Sequence, residues 1–174
     1  MFRSKQVHVR SVEPSDATKL MLWENNPAHW KVTDTEVPFS LQGILQLIEQ
    51  QQHIRSNGQL RLMICLNETN EAIGAIDLYD VDFKNGNAAV GILIGEELHR
   101  SNGYAFEALE LLIGYARDLL ALHNLHCSIQ ADNIESIRLF EKCGFTRIGI
   151  RKEWFLYQGQ RIDEICYQLC LEKK

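Results

Sequence analysis

The chain has 174 residues, 45% hydrophobic and 24% charged, which suits one soluble domain over residues 1–174 with a single core. Eighteen basic against 23 acidic residues leave a formal charge of −5, an unfavourable balance for gripping a nucleic-acid backbone. The longest apolar stretch, Leu109 to Leu122, is cut by Arg117 and Asp118, so no membrane span is expected. With no signal-peptide core in MFRSKQVHVR, a cytoplasmic location is expected.

Val7 to Val12 alternates and reads as a first strand, and Pro14-Ser15-Asp16 opens a helix carrying Ala17, Leu20, Met21 and Glu24. Asn25-Asn26-Pro27 ends it, and a polar loop is expected from His29 to Val37. Pro38-Phe39-Ser40 caps a second helix, with Leu41, Ile44, Leu45 and Ile48 on one face, ending at Ser56-Asn57-Gly58. Three strands follow: Gln59 to Leu66, Ala72 to Tyr79, and, beyond the Asn85-Gly86 turn, Ala88 to Ile94. A long helix runs from Tyr104 to near Leu120, then a strand over Leu125 to Gln130 and a helix from Asn133 to Cys143, closed by Gly144. Phe145 to Trp154 and Ile162 to Cys170 pair across Gln158-Gly159. The sum is an α/β fold: a mixed, mostly antiparallel sheet of about six to seven strands flanked by about four helices.

Five cysteines without a CxxC pair suggest reduced thiols rather than a disulfide framework, and the histidines form no metal-binding pattern. The chemistry concentrates in two stretches. In ILIGEELHRSNGYAFE an apolar strand ends, a polar loop follows and a helix starts at once. Free backbone N–H groups at such a junction favour a phosphate, with Gly103 permitting close approach and Arg100 adding charge. An ordinary capped helix start is the competing reading of that stretch alone. The second stretch is NIESIRLFEKCGF, from Asn133 to Phe145.

The two together, Arg100, Gly103 and Ala105 with Asn133 to Phe145, resemble the GNAT superfamily of acetyl-CoA-dependent N-acetyltransferases, and VRSVEPSDATKL is similar to that family's opening strand and helix. The resemblance implies a GNAT fold, acetyl-CoA as cosubstrate, and direct attack of a neutral primary amine on the thioester. It also implies a strand ending at Ile92, Leu93 and Ile94 that splays from the strand Leu125 to Gln130 and holds the pantetheine arm. Backbone amides of Arg100, Ser101, Asn102, Gly103, Tyr104 and Ala105 would take the pyrophosphate, with Asn133 and Lys142 on the other bank. Two positions depart from the family. Phe140 stands where many members carry a tyrosine acid, and Ala89 near where many carry a glutamate base. Glu96, Glu97 and His99 are the nearest titratable groups, and no catalytic acid or base is assigned.

The stretch Asn67 to Asp82 carries five acids and no base, and Asp34 and Glu36 lie between the first two helices. Such walls attract a cationic amine. The chain is especially similar to bacterial spermidine acetyltransferases, which implies a polyamine acceptor bound by Glu36 and Asp77, and a homo-oligomer. A protein N-terminal or ribosomal-protein amine is the alternative acceptor. A degenerate acyl-CoA-binding sensor is a further alternative. The six Lys or Arg between Arg138 and Arg161 read as a solvated face.

Overall fold

Strands that alternate apolar residues on both phases need helices on both faces, and the chain supplies them. The computed structural model describes residues 2–33, 35–51 and 53–172, without the Val32 side chain. The first strands are β1 (Phe2–Arg3) and β2 (Val7–Ser11), followed by α1 (Ala17–Glu24), α2 (Pro27–Thr33), α3 (Leu41–Gln50) and α4 (Ile54–Asn57). Then come β3 (Leu60–Leu66), β4 (Ala72–Asp82), β5 (Asn87–Ile94), α5 (Tyr104–Asp118), β6 (Asn124–Gln130), α6 (Ile134–Lys142), β7 (Thr146–Tyr157) and β8 (Gln160–Cys170). The eight strands form one sheet in the order β1-β2-β3-β4-β5-β6-β8-β7, antiparallel except for β5 and β6. Among the described residues no helix is long and apolar enough to cross a membrane.

On one face α5 and α6 cover Leu62, Ile64, Ile76, Leu78, Val90 and Leu125 with Leu109, Leu112 and Phe140. On the other, α1 and α3 cover Met63, Cys65 and Ala75 with Leu20, Trp23, Ile44 and Ile48. Burial of these two stripes is the main stabilising term. The β3–β4 register shifts at Ile64/Cys65, and Gly74 pairs with Ile94 of β5, where an added Cβ would lie 2.3 Å from the Leu93 carbonyl oxygen.

The sequence reading needs four corrections here. The stretch read as a loop from His29 holds helix α2: Pro27 starts a new helix rather than merely ending the old one. Its fixed φ suits a first helical turn, and the Asn26 side chain accepts from Ala28 N at 3.0 Å. The second helix breaks at Gln51, leaving the one-turn α4 ended by Gly58 at φ +64°. β1 adds an edge strand too short to show a period. β4 runs past Tyr79 to Asp82 across an irregularity, with Asp80 at φ +49°. Of the five thiols, Cys65, Cys127 and Cys143 are buried, Cys166 is half-buried and Cys170 exposed.

Candidate active site

The parallel pairing of β5 with β6 spans only Asn87–Ala89 opposite Asn124–His126. Beyond it the strands separate, so Ile92, Leu93 and Ile94, paired with β4 on one side, border a cleft on the side of β6, the splay that the resemblance implied. Two cavities meet there, sharing Lys31, Ile92, Leu93, Asn133 and Ser136 in their walls.

The larger cavity, about 860 Å³, runs along the start of α5 to α6. After Ile94 a single 3₁₀ turn, Glu97–His99, leads to the loop Arg100–Gly103. The Asn102 side chain donates to the carbonyls of Leu98 (3.1 Å) and Arg100 (3.0 Å) and holds that loop in shape. Asn102 does not line the cavity; Arg100, Ser101, Gly103, Tyr104 and Ala105 do. Ser101 (φ +61°) and Gly103 (φ +85°) adopt left-handed conformations, and no side chain caps the α5 amides that follow. First-turn N–H groups left uncapped in a cavity fit an anionic group such as a pyrophosphate. Farther into the turn, Glu107 takes hydrogen bonds from Gln6 N and Nε2, both 2.8 Å, and from Ser4 Oγ, bolting α5 to the β1–β2 hairpin. Against the desolvation that raises it, those bonds hold the Glu107 carboxyl below its ordinary value.

On the opposite bank Asn133 Oδ1 accepts from Ser136 N at 3.2 Å and caps α6, while Lys142 lies 4.2 Å above the Phe106 ring. Both line the cavity. Lys31, Arg100, Arg138 and Lys142 stand against Asp132 and Glu135, a positive balance suited to phosphates.

The second cavity, about 490 Å³, opens on the α1 face. Its wall carries Lys31 and Arg61 against Glu24, Asp77 and Glu164, so its balance is reversed. Asp77 lies on that wall but is not free: Arg61 Nε and Nη2 bind its two oxygens at 2.7 and 3.0 Å, and Nη1 binds Glu24 Oε1 at 2.7 Å. Glu164, 4% exposed, is joined by Arg151. Glu36 is exposed and lines neither cavity, and Asp34 lies outside the described residues.

Phe140 is buried on this cavity's wall, edge-on to Phe145 at 5.0 Å, and offers no proton. Ala89 is buried beside Tyr79 in register. Burial, helped by the charges of Cys127, Asp80, Asp77 and Glu164, raises the Tyr79 phenol, which therefore keeps its proton on the cavity wall. Of the three titratable loop groups, His99 lines the larger cavity, 3.8 Å from Glu71, and Glu96 and Glu97 line neither.

Helix α2 crosses between the banks. The His29 ring contacts the Trp23 carbonyl through Nδ1 (2.8 Å) and Arg100 through Nε2 (3.0 Å). Lys31 Nζ reaches Asp132 at 2.5 Å and lies 5.3 Å from the Tyr157 ring centre, while its carbonyl accepts from Gln130 Nε2. Sequence reasoning missed His29, Lys31, Arg61 and Glu164. Arg61 alone left a signal, a charge on the second apolar phase of β3.

A family model described as "Acetyltransferase (GNAT) domain" matches residues 6–146. An uncharacterised N-acetyltransferase, p20, of Bacillus licheniformis is 26% identical over 167 residues, covering 95% of this chain and 93% of that protein. The spermidine N(1)-acetyltransferase of Vibrio cholerae is 27% identical over 111 residues, 64% of this chain and 63% of that protein. Its crystal structure in complex with CoA and spermine superposes with a TM-score of 0.86 at 22% identity, covering 95% of this chain and 96% of that one. A dodecameric structure of the same enzyme gives 0.77 at 24% identity, covering 95% and 94%.

Proposed function

Because the chain belongs to the GNAT acetyltransferase family, whose cosubstrate is acetyl-CoA, we propose that it acetylates a primary amine of spermidine type. The observation that carries the reading is the pair of oppositely charged cavities meeting at Ile92 and Leu93. The phosphate-side cavity takes the cosubstrate: amides of the Arg100–Ala105 loop bind its pyrophosphate and the free edge of β5 its pantetheine arm, with Asn133 and Lys142 opposite. Acetyl-CoA supplies a thioester carbonyl open to attack by the amine.

The chain's own contribution is positioning and polarisation. Cavity walls bring the amine nitrogen to the junction in near-attack geometry, and fixed N–H groups of the β5 edge favour charge on the carbonyl oxygen. Asp77, with Glu24 and Glu164, biases the second cavity towards a cation. Glu36, exposed on the loop before α3, adds a solvent-facing carboxylate that attracts cations. Similarity to the Vibrio cholerae enzyme supports the polyamine and self-association alike.

One observation favours a second acceptor. Arg61 neutralises much of Glu24 and Asp77, which suits a single ammonium, such as a protein N-terminus, better than a polycation.

Mass spectrometry of products decides between them. The protein is incubated with acetyl-CoA and a panel of spermidine, spermine, putrescine and N-terminal peptides. Acetylated polyamine above the enzyme-free control supports the first reading, and acetylated peptide alone the second. No product, with acetyl-CoA bound, would refute both and leave an acyl-CoA-binding sensor.

A further inference from the structure

We infer that His29 is a positioning residue for the cosubstrate: it holds the Arg100 side chain at the phosphate end of the cleft. The inference rests on Arg100 belonging to the phosphate-binding loop. His29 is 2% exposed and sits on α2, away from the loop in sequence. A carbonyl oxygen only accepts, so the 2.8 Å contact to Trp23 O puts the ring proton on Nδ1. Nε2 is thereby left with its lone pair facing Arg100 Nη2 at 3.0 Å, and the guanidinium donates to it.

The ring is fixed at both ends. Trp23 is itself buried in the α1 layer, and an added Cβ on Gly95 would strike its indole, so the carbonyl that orients His29 cannot drift. The other side of α2 is anchored through Lys31 to Asp132 and Gln130. Arg100 has five donors, and one bond to a neutral imidazole leaves its charge and its remaining N–H groups for phosphate. Without His29, a long side chain with several rotatable bonds would have to be ordered by the ligand itself, at an entropic cost that appears as weaker binding.

The test is a two-by-two cycle on acetyl-CoA binding, measured by calorimetry for wild type, His29→Leu, Arg100→Ala and the double variant. Acetyl-pantetheine, which lacks the phosphates, serves as a second ligand. Each single variant is expected to weaken acetyl-CoA about tenfold, the size of one charge-assisted hydrogen bond. The double variant should be no weaker than Arg100→Ala, and acetyl-pantetheine should bind wild type and His29→Leu equally. Equal losses for both ligands, or additive losses in the double variant, would overturn the inference and leave His29 as a packing residue. Should His29→Leu fail to fold, His29→Phe, which fills the ring's volume but offers Arg100 no acceptor, enters the same cycle with the same criteria. Unchanged acetyl-CoA binding by Arg100→Ala would instead overturn the phosphate-loop reading itself, and the inference with it.

Discussion

Arg61 and Asp77 are direct cross-strand partners on β3 and β4 and share two hydrogen bonds of 2.7 and 3.0 Å, while the same guanidinium reaches Glu24 on α1. One cation therefore ties the sheet to the helix that walls the second cavity, and holds two carboxylates that would otherwise repel. Arg61→Met should destabilise the protein by about 3–5 kcal/mol, because it strands those carboxylates without a partner. Asp77→Asn should cost less and raise KM for the amine more than KM for acetyl-CoA. Chemical denaturation and steady-state kinetics check both, and equal small changes in the two KM values would remove Asp77 from acceptor binding.

Gly95 has no room for a side chain. A Cβ there would lie 2.2 Å from Trp23 Cε2 and 2.3 Å from Nε1, in the interior of the α1 layer. Gly95→Ala should cost about 1–3 kcal/mol by displacing α1. Because Trp23 lines the second cavity, a shift in tryptophan fluorescence should accompany the loss. An unfolding midpoint equal to wild type would contradict the packing described.

Cys127 sits on the wall of the second cavity, and under the proposed function a thiol there would invite an acyl-enzyme mechanism. Burial, with a smaller contribution from Cys166, pushes that thiol up to about 12, so near neutral pH it is protonated and a poor nucleophile. Intact-mass spectra after incubation with acetyl-CoA should show no acetyl on Cys127. Cys127→Ala should still turn over while losing about 1 kcal/mol of stability. An acetylated Cys127 chemically competent to pass its acetyl to the amine would rule out direct transfer.

Asp16 gives the fold an acid limb. Burial raises its carboxyl, but the paired bonds from Arg10 at 2.7 and 2.8 Å, with the Glu13 amide at 2.9 Å, outweigh it and leave the folded value below the ordinary one. A depressed folded pKa means that the contribution is fully present above the unfolded value of about 3.9 and is lost as pH falls through the folded value. Asp16→Asn should lower stability by about 1–3 kcal/mol near neutral pH and flatten the decline below about pH 4. Unfolding free energies from urea titrations across that range check it, and parallel curves for the two proteins would refute it.

The long elements were legible because their signals are periodic and local. Helix α5 with Ala108, Leu109, Leu112 and Ala116, the Asn85-Gly86 turn, and the splay of Ile92–Ile94 from β6 all follow from spacing or from the two motifs. The missed features depend on contacts distant in sequence. Nothing near His29 announces that it meets Arg100, 71 residues on, and nothing near Asp77 reveals that Arg61 has claimed it. The resemblance to spermidine acetyltransferases took Glu36 and Asp77 together as acceptor-binding acids; the fold leaves one exposed and pairs the other. Helix α2 escaped because Asn-Asn-Pro stops one helix and caps the next with the same residues.

The brief pairing of β5 with β6 has a consequence for solubility. Unpaired strand edges normally lie at the rim of a sheet, where they recruit other chains and lead to aggregation. Here a second pair of such edges lies inside the sheet, past Ala89 and His126, roofed by α1 and α2 on one face and by α5 and α6 on the other. A rim edge is open to another chain along its whole length, whereas these edges border the two cavities between the helix layers. The same hydrogen-bonding capacity that is a hazard at a rim is turned, inside the sheet, onto the walls of a cleft.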